Sequence, residues 1–268
     1  MTVDTMGIRH PLDDRMPALL KSGQRLRGIF NGLPSPAIVE MCAYAGFDFV
    51  ILDNEHGSAD LETTENMLRA ARASGIPAVV RCLRHDIPRV LDMGAGALQI
   101  PMVNTADDAR DLVRRVRYPG AGARGSAFST RAAGYGAFGG RAHAQRSHEG
   151  IALIVMVETP EAVANAGEIA AVEGVDAVFV GPNDLSHAMG YADDWRRAEV
   201  QAEIARALKA VVAAGKCAGT LGLTLQDEET HTAIGARYFA TVSTGLITKA
   251  FREAALAGRS AQALALKY

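Results

Sequence analysis

The chain has 268 residues, with 28 Lys plus Arg against 30 Asp plus Glu and a formal net charge of -2, so it carries no basic footprint for nucleic acid. Hydrophobic residues make up 49%, yet no uninterrupted apolar run approaches the ~20 residues that a membrane span needs. The length suits one large α/β domain, read here as a single unit over residues 1–268.

The first residues lack an apolar signal core and include acids, so a cytoplasmic location is expected. Cys42, Cys82 and Cys217 are scattered and odd in number, which fits reduced thiols rather than a disulfide framework or a zinc cluster.

Along the chain, short β-rich apolar runs alternate with longer helical patterns. The candidate strands are 27–30, 48–52, 77–81, 97–101, 151–158, 176–181, 216–221 and 237–242. Helical stretches include 61–73, 106–117, 161–172, 200–213 and 246–257. Eight β-then-α units in about 250 residues is the arithmetic of a (β/α)8 TIM barrel. A doubly wound open sheet is the alternative, with fewer strands and often a nucleotide fingerprint.

The segment 118–150 breaks the beat, being rich in Gly, Ala and Arg without sustained periodicity. Its Gly120-Ala-Gly122-Ala-Arg-Gly125 has the letters of a dinucleotide fingerprint but follows a helical pattern instead of a strand, so it fails the context test. A loop of this length reads either as a flexible surface excursion or as a segment that closes over a substrate or contacts another subunit.

Chemistry collects at the strand exits. The run 151–157 leads into Glu158, and the run 176–180 leads into Gly181-Pro-Asn183-Asp184. Two carboxylates at consecutive strand exits suit a hard divalent cation, with coordination positions left for water and substrate. The plainer reading of such acids is helix capping or turn formation.

After the second strand comes Asp53-Asn-Glu55-His56-Gly57, where an imidazole beside two acids can be oriented for proton transfer. The third strand ends in Arg81, a guanidinium that needs an anionic partner, whether Glu55, Glu158 or a substrate carboxylate. Asp92, in Leu91-Asp-Met-Gly94, reads by itself as a cap or salt-bridge acid. The strand starts carry mostly Gly, Pro, Ala and a few solvating polar groups, so one face of the barrel is expected to hold the chemistry.

These segments together carry a resemblance: Phe47 to His56, Pro77-Ala-Val-Val-Arg81, Leu91-Asp-Met-Gly94, Ile100-Pro-Met-Val103, Arg117-Tyr-Pro119, Met156-Val-Glu-Thr159 and Gly174 to Ser186. In order and spacing the chain resembles the HpcH/HpaI family of metal-dependent pyruvate aldolases, from about Gly28 to Ala255. The resemblance implies a TIM barrel whose last helix packs on a neighbouring subunit, in a homohexamer built as a trimer of dimers. It implies Mg²⁺, Mn²⁺ or Co²⁺ on Glu158 and Asp184, and a 2-oxo acid held near Gly181, Asn183 and Asp184. By the same carry-over Arg81 stabilises the enolate oxygen, and His56 relays protons with help from Asp92 and, as a further candidate, Asp53. The implied substrates are a small 2-oxo acid and an aldehyde.

Aldol cleavage of a 4-hydroxy-2-oxo acid leaves a carbanion that survives as an enolate, so positive charge must sit where the negative charge develops. A lysine Schiff base is the competing solution. Lys21, Lys209, Lys216, Lys249 and Lys267 offer little for it, since Lys216, beside a candidate strand, stands at the strand's start. The sequence departs from the family's type enzyme at Met156, where that enzyme has a glutamine. This leaves two alternatives. One is a citramalyl-CoA or malyl-CoA type lyase, for which Arg84, Arg89, Arg124 and Arg131 supply a candidate basic rim. The other is a non-catalytic oxo-acid or metal-binding protein, which has no need of His56.

Overall fold

A computed structural model describes residues 10–257 of the chain. Eight parallel strands close into a barrel in chain order: β1 Leu26–Asn31, β2 Phe49–Asp53, β3 Ala78–Arg81, β4 Ala97–Ile100, β5 Ala152–Val157, β6 Ala177–Val180, β7 Cys217–Leu221 and β8 Tyr238–Val242. β8 returns to pair with β1, so no edge remains. The expected (β/α)8 architecture is therefore what the chain adopts.

The strands read as near-continuous apolar runs because both faces are covered. Inward residues such as Phe49, Ile51, Ile154, Met156, Phe179 and Tyr238 fill the barrel, while Val50, Leu52, Leu153, Val155 and Val178 pack against the helices.

The helices are α1 Met16–Lys21, α2 Pro36–Tyr44, α3 Leu61–Ser74, α4 Ile87–Asp92, α5 Ala106–Val116, α6 Gly140–Gly150, α7 Pro160–Ala164, α8 Ala166–Ala171, α9 Pro182–Ala188, α10 Ala198–Ala213, α11 Leu225–Thr232 and α12 Ser243–Leu256. Several start on side-chain caps that satisfy first-turn N–H groups. Asp60 accepts from the Thr63 N–H, and Thr105 with Asp108 and Thr224 with Asp227 form reciprocal capping boxes. The stretch read as one helix over 161–172 is two, broken at Asn165, whose side chain donates to the Asn104 carbonyl.

The segment 118–150 is not the irregular loop that its composition suggests. It forms a short 3-10 turn over Arg131–Gly136 and then α6, whose buried residues are His143, Ser147 and Gly150. It packs on the outer helical layer: Arg131 donates to the Met93 carbonyl, Arg69 of α3 donates to the Tyr135 hydroxyl, and Arg146 pairs with Asp14. These contacts lie away from the strand exits, so the expectation of a substrate lid gains nothing from them. In α12 only Ser243 is buried. No helix among the described residues is long and apolar enough to cross a membrane.

Candidate active site

β2 and β3 bring their last residues side by side, because Asp53 and Arg81 are register partners. Asp53 Oδ1 accepts from Arg81 Nε at 2.8 Å, and Oδ2 accepts from Nη2 at 2.6 Å. This planar two-point contact is geometry that arginine alone supplies. Arg81 Nη1 also lies 3.1 Å from Glu55 Oε2, and the guanidinium sits 4.8 Å over the Phe30 ring. The anionic partners of Arg81 are thus Asp53 and Glu55.

Asp53 does not serve His56 through the imidazole. Its Oδ1 accepts from the backbone N–H groups of Glu55 at 3.1 Å and His56 at 3.3 Å, shaping the turn. Burial alone raises the Asp53 carboxyl, but the Arg81 hydrogen bond and charge, with these two N–H groups, outweigh it and hold the carboxyl below the usual range. Gly57 closes the turn, since a Cβ there would lie 2.0 Å from the Asp53 carbonyl oxygen. The His56 ring stands at the mouth, its side chain 65% exposed and its Nε2 3.9 Å from Glu55 Oε2.

Glu158 follows β5 and is buried. Its Oε1 accepts from the Met102 N–H at 2.8 Å. Met102 holds a left-handed φ of 57°, costly for a non-glycine residue, and its carbonyl accepts from Arg84 at 3.2 Å. On the other side a Cβ on Gly181 would lie 2.5 Å from Glu158 Oε2, so the carboxylate lies directly against glycine backbone. The Gly181 N–H in turn donates to the Val157 carbonyl at 3.0 Å, tying the exits of β5 and β6. Asn183 and Asp184 lie exposed in the first turn of α9.

Burial pushes the Glu158 carboxyl up to about 7; the charges of Asp184 and Glu55 push the same way, while the Met102 N–H and Arg81 pull against them. Burial likewise raises Glu55, against the pull of Arg81 and His56. Glu158 thus shares its surroundings with Glu55 and Asp184, while the nearby Arg81 is already engaged by Asp53. That surplus of negative charge, with a carboxylate oxygen at Gly181 free of protein donors, fits a hard cation. Among the described residues no group of three or more His, Cys, Asp or Glu could by itself hold a metal ion.

The structure does not bring Asp92 to His56 within one chain. Asp92 is the last residue of α4 in the outer layer, and its Oδ1 accepts from Arg124 at 3.2 Å. Of the candidate basic rim, Arg89 is exposed on α4, while the other three arginines are engaged elsewhere. Arg124 is buried within the 118–150 segment and paired with Asp92, Arg84 is paired with Asp108 at 2.9 Å, and Arg131 is turned onto the Met93 carbonyl. Lys216 stands at the start of β7 and donates to the Val175 carbonyl at 2.7 Å, at the opposite end of the barrel from Glu158.

Sequence reasoning missed Met102, Phe30 and Gln99. Met102 had its motif, Ile100-Pro-Met-Val103, but its role depends on backbone conformation. Gln99 lies in register with Arg81 and accepts from the Tyr238 hydroxyl at 3.0 Å, leaving its buried Nε2 without a protein partner. Met156 faces the barrel interior two residues before Glu158, as strand alternation requires.

Residues 26–254 match the HpcH/HpaI aldolase/citrate lyase family. The chain belongs to that family. It is 41% identical over 244 residues to a hydroxypyruvate/pyruvate aldolase of Delftia acidovorans, covering 90% of this chain and 89% of that one. It is 38% identical to a 4-hydroxy-2-oxo-heptane-1,7-dioate aldolase of Shigella sonnei, over 96% of this chain and 98% of the relative. A crystal structure of an HpcH/HpaI aldolase/citrate lyase family protein from Burkholderia cenocepacia superposes with a TM-score of 0.86 at 32% identity, over 92% of this chain and all of the other. The protein is an aldolase, a carbon–carbon lyase acting on small molecules.

Proposed function

We propose that this aldolase joins or cleaves 4-hydroxy-2-oxo acids, with pyruvate or a related 2-oxo acid as donor and an aldehyde as acceptor, and that it uses a divalent cation held by Glu158 and Asp184. The observation that carries the reading is the buried Glu158 carboxylate, raised to about 7 among neighbouring acids and lying a short way from Arg81. The names of the relatives from Delftia acidovorans and Shigella sonnei support the donor class. When bound, the cation supplies Lewis-acid polarisation of the 2-oxo group.

The protein's own groups do the rest. The Arg81 fork uses Nε and one N–H of Nη2 on Asp53 and points Nη1 toward Glu55. One N–H on each terminal nitrogen remains for an oxygen that gains negative charge, and such fixed charge lowers the barrier where charge develops. Asp53 and Phe30 hold the fork, so Arg81 need not reorganise during reaction. The N–H groups of Asn183 and Asp184, in the first turn of α9, have no intrahelical partner and suit the substrate carboxylate. His56, exposed beside Glu55, is placed to take the 4-hydroxyl proton and return it. Asp92 can reach a His56 ring only across a subunit boundary, which fits the proposed hexamer.

The test is an aldehyde panel with pyruvate and with hydroxypyruvate, run with Mg²⁺, Mn²⁺ or Co²⁺ and after EDTA, with product analysis. Activity that vanishes on chelation and returns with the cation is expected. Full activity after exhaustive chelation, or pyruvate trapped on a lysine by borohydride, overturns the assignment.

A further inference from the structure

The strand-start face of the barrel is not chemically blank. It holds a cavity of about 920 Å³, within the range of small-ligand pockets. Its inner wall carries Arg117 at the end of α5, Lys216 at the start of β7 and Arg237 just before β8. Each donates to backbone carbonyls: Arg117 to Ile151 at 3.0 Å, Lys216 to Val175 at 2.7 Å, and Arg237 to Thr232 at 3.0 Å and Ala236 at 2.7 Å. Among the described residues none of the three forms a salt bridge, although most other arginines of the chain do.

A buried guanidinium without a counter-ion is uncommon, because a charge taken out of water is costly unless paired. Arg117 is only 6% exposed. Its pKa is lowered by burial, with Asp176 the one opposing charge near it. Asp176 is the only acid of the inner wall, and its Oδ2 already accepts from the Leu153 N–H at 2.9 Å. Glu149 and Glu173 stand exposed at the rim beside exposed Lys21. The inner wall is left with three cations against one engaged carboxylate. Their mutual repulsion in a concave site is relieved by a bound anion.

We infer that this cavity is a second binding site, distinct from the strand-exit site, for a small dianion such as phosphate or a dicarboxylate, held by Arg117, Lys216 and Arg237. Arginine suits the planar or tetrahedral oxygens of either class, and the lysine adds a point charge. The anion would tie the ends of α5, β7 and β8 together, so it should stabilise the folded protein by mass action.

Calorimetric titration of the cation-loaded enzyme with inorganic phosphate, and separately with succinate, tests the site. Saturable binding of at least one is expected, and which arm binds tells phosphoryl from dicarboxylate ligands. Binding should weaken by at least about tenfold in Lys216→Gln/Arg237→Gln, as expected for lost charge-assisted hydrogen bonds, and should persist in Arg81→Ala. Lys216→Gln alone, at a partly exposed position, keeps the test open if the double variant does not fold, and should weaken binding severalfold. Absence of saturable binding of either anion up to about 10 mM overturns the inference. So does binding that is lost in Arg81→Ala and kept in the basic-wall variants, since the anion then belongs to the catalytic mouth.

Discussion

Asp53 grips Arg81 at two points, 2.8 and 2.6 Å, at the adjoining exits of β2 and β3. The same carboxylate caps the turn that carries Glu55 and His56. One acid thus fixes both the cation proposed to face the enolate and the backbone that presents the imidazole.

Arg81→Ala should abolish aldol cleavage and the exchange of pyruvate methyl protons alike, because both pass through the enolate. Arg81→Lys should recover little, since an ammonium cannot reproduce the fork. The alanine variant also leaves buried Asp53 without its partner, at a stability cost on the order of 3–5 kcal/mol. Thermal melts establish that the variant is folded, and near-normal proton exchange in that folded protein contradicts the role.

Glu158 gives a pH prediction with a definite sign. Its folded value, about 7, lies above the ordinary 4.5. Between these values the folded state holds a proton that the unfolded state has lost, so the group's contribution to stability grows as pH falls through about 7 and is lost as pH rises. The size is on the order of 3 kcal/mol for cation-free protein. Glu158→Gln, without cation, should therefore be more stable than the parent near pH 8 and little different near pH 5. Denaturation curves with the same pH dependence in both proteins would refute the buried-charge account.

Gly181→Ala tests the contact between the β5 and β6 exits without altering charge. The added methyl would stand 2.5 Å from Glu158 Oε2, an overpacking worth roughly 1–3 kcal/mol. The carboxylate must turn away, so affinity for Mn²⁺ should fall by about tenfold or more, with activity following. Unchanged Mn²⁺ affinity in a folded variant would mean that this Glu158 rotamer is not the binding one.

The barrel was legible because strands buried on both faces must be apolar runs, and all eight stand out in the sequence. Helix α6 was not, because the face it buries presents His143, Ser147 and Gly150 in place of an apolar stripe. Arg81 announced its need for an anion, but the choice of Asp53 came from register, a property of two strands. Likewise the strand starts looked bland because Arg117 arrives from a helix end and Lys216 and Arg237 are single residues in separate segments. Only closure of the barrel brings them to one wall.

The last prediction concerns assembly. Phe251 is 71% exposed, and Leu246 and Leu256 are 45% and 46% exposed, on a helix that buries only Ser243. Helix α12 therefore leaves large apolar side chains open on more than one side, and exposed apolar surface of this kind needs a partner. The sequence continues with further apolar residues, Leu264 and Leu266, which lie outside the described residues. A neighbouring copy of the chain is the expected cover, and closed symmetry makes such contacts reciprocal. In solution the protein should be a hexamer, a trimer of dimers, and deletion from Phe251 onward should dissociate it and lower activity. Light scattering at micromolar concentration decides the matter: a particle of 28.3 kDa, the mass of one chain, would leave α12 without its proposed partner and refute the assembly.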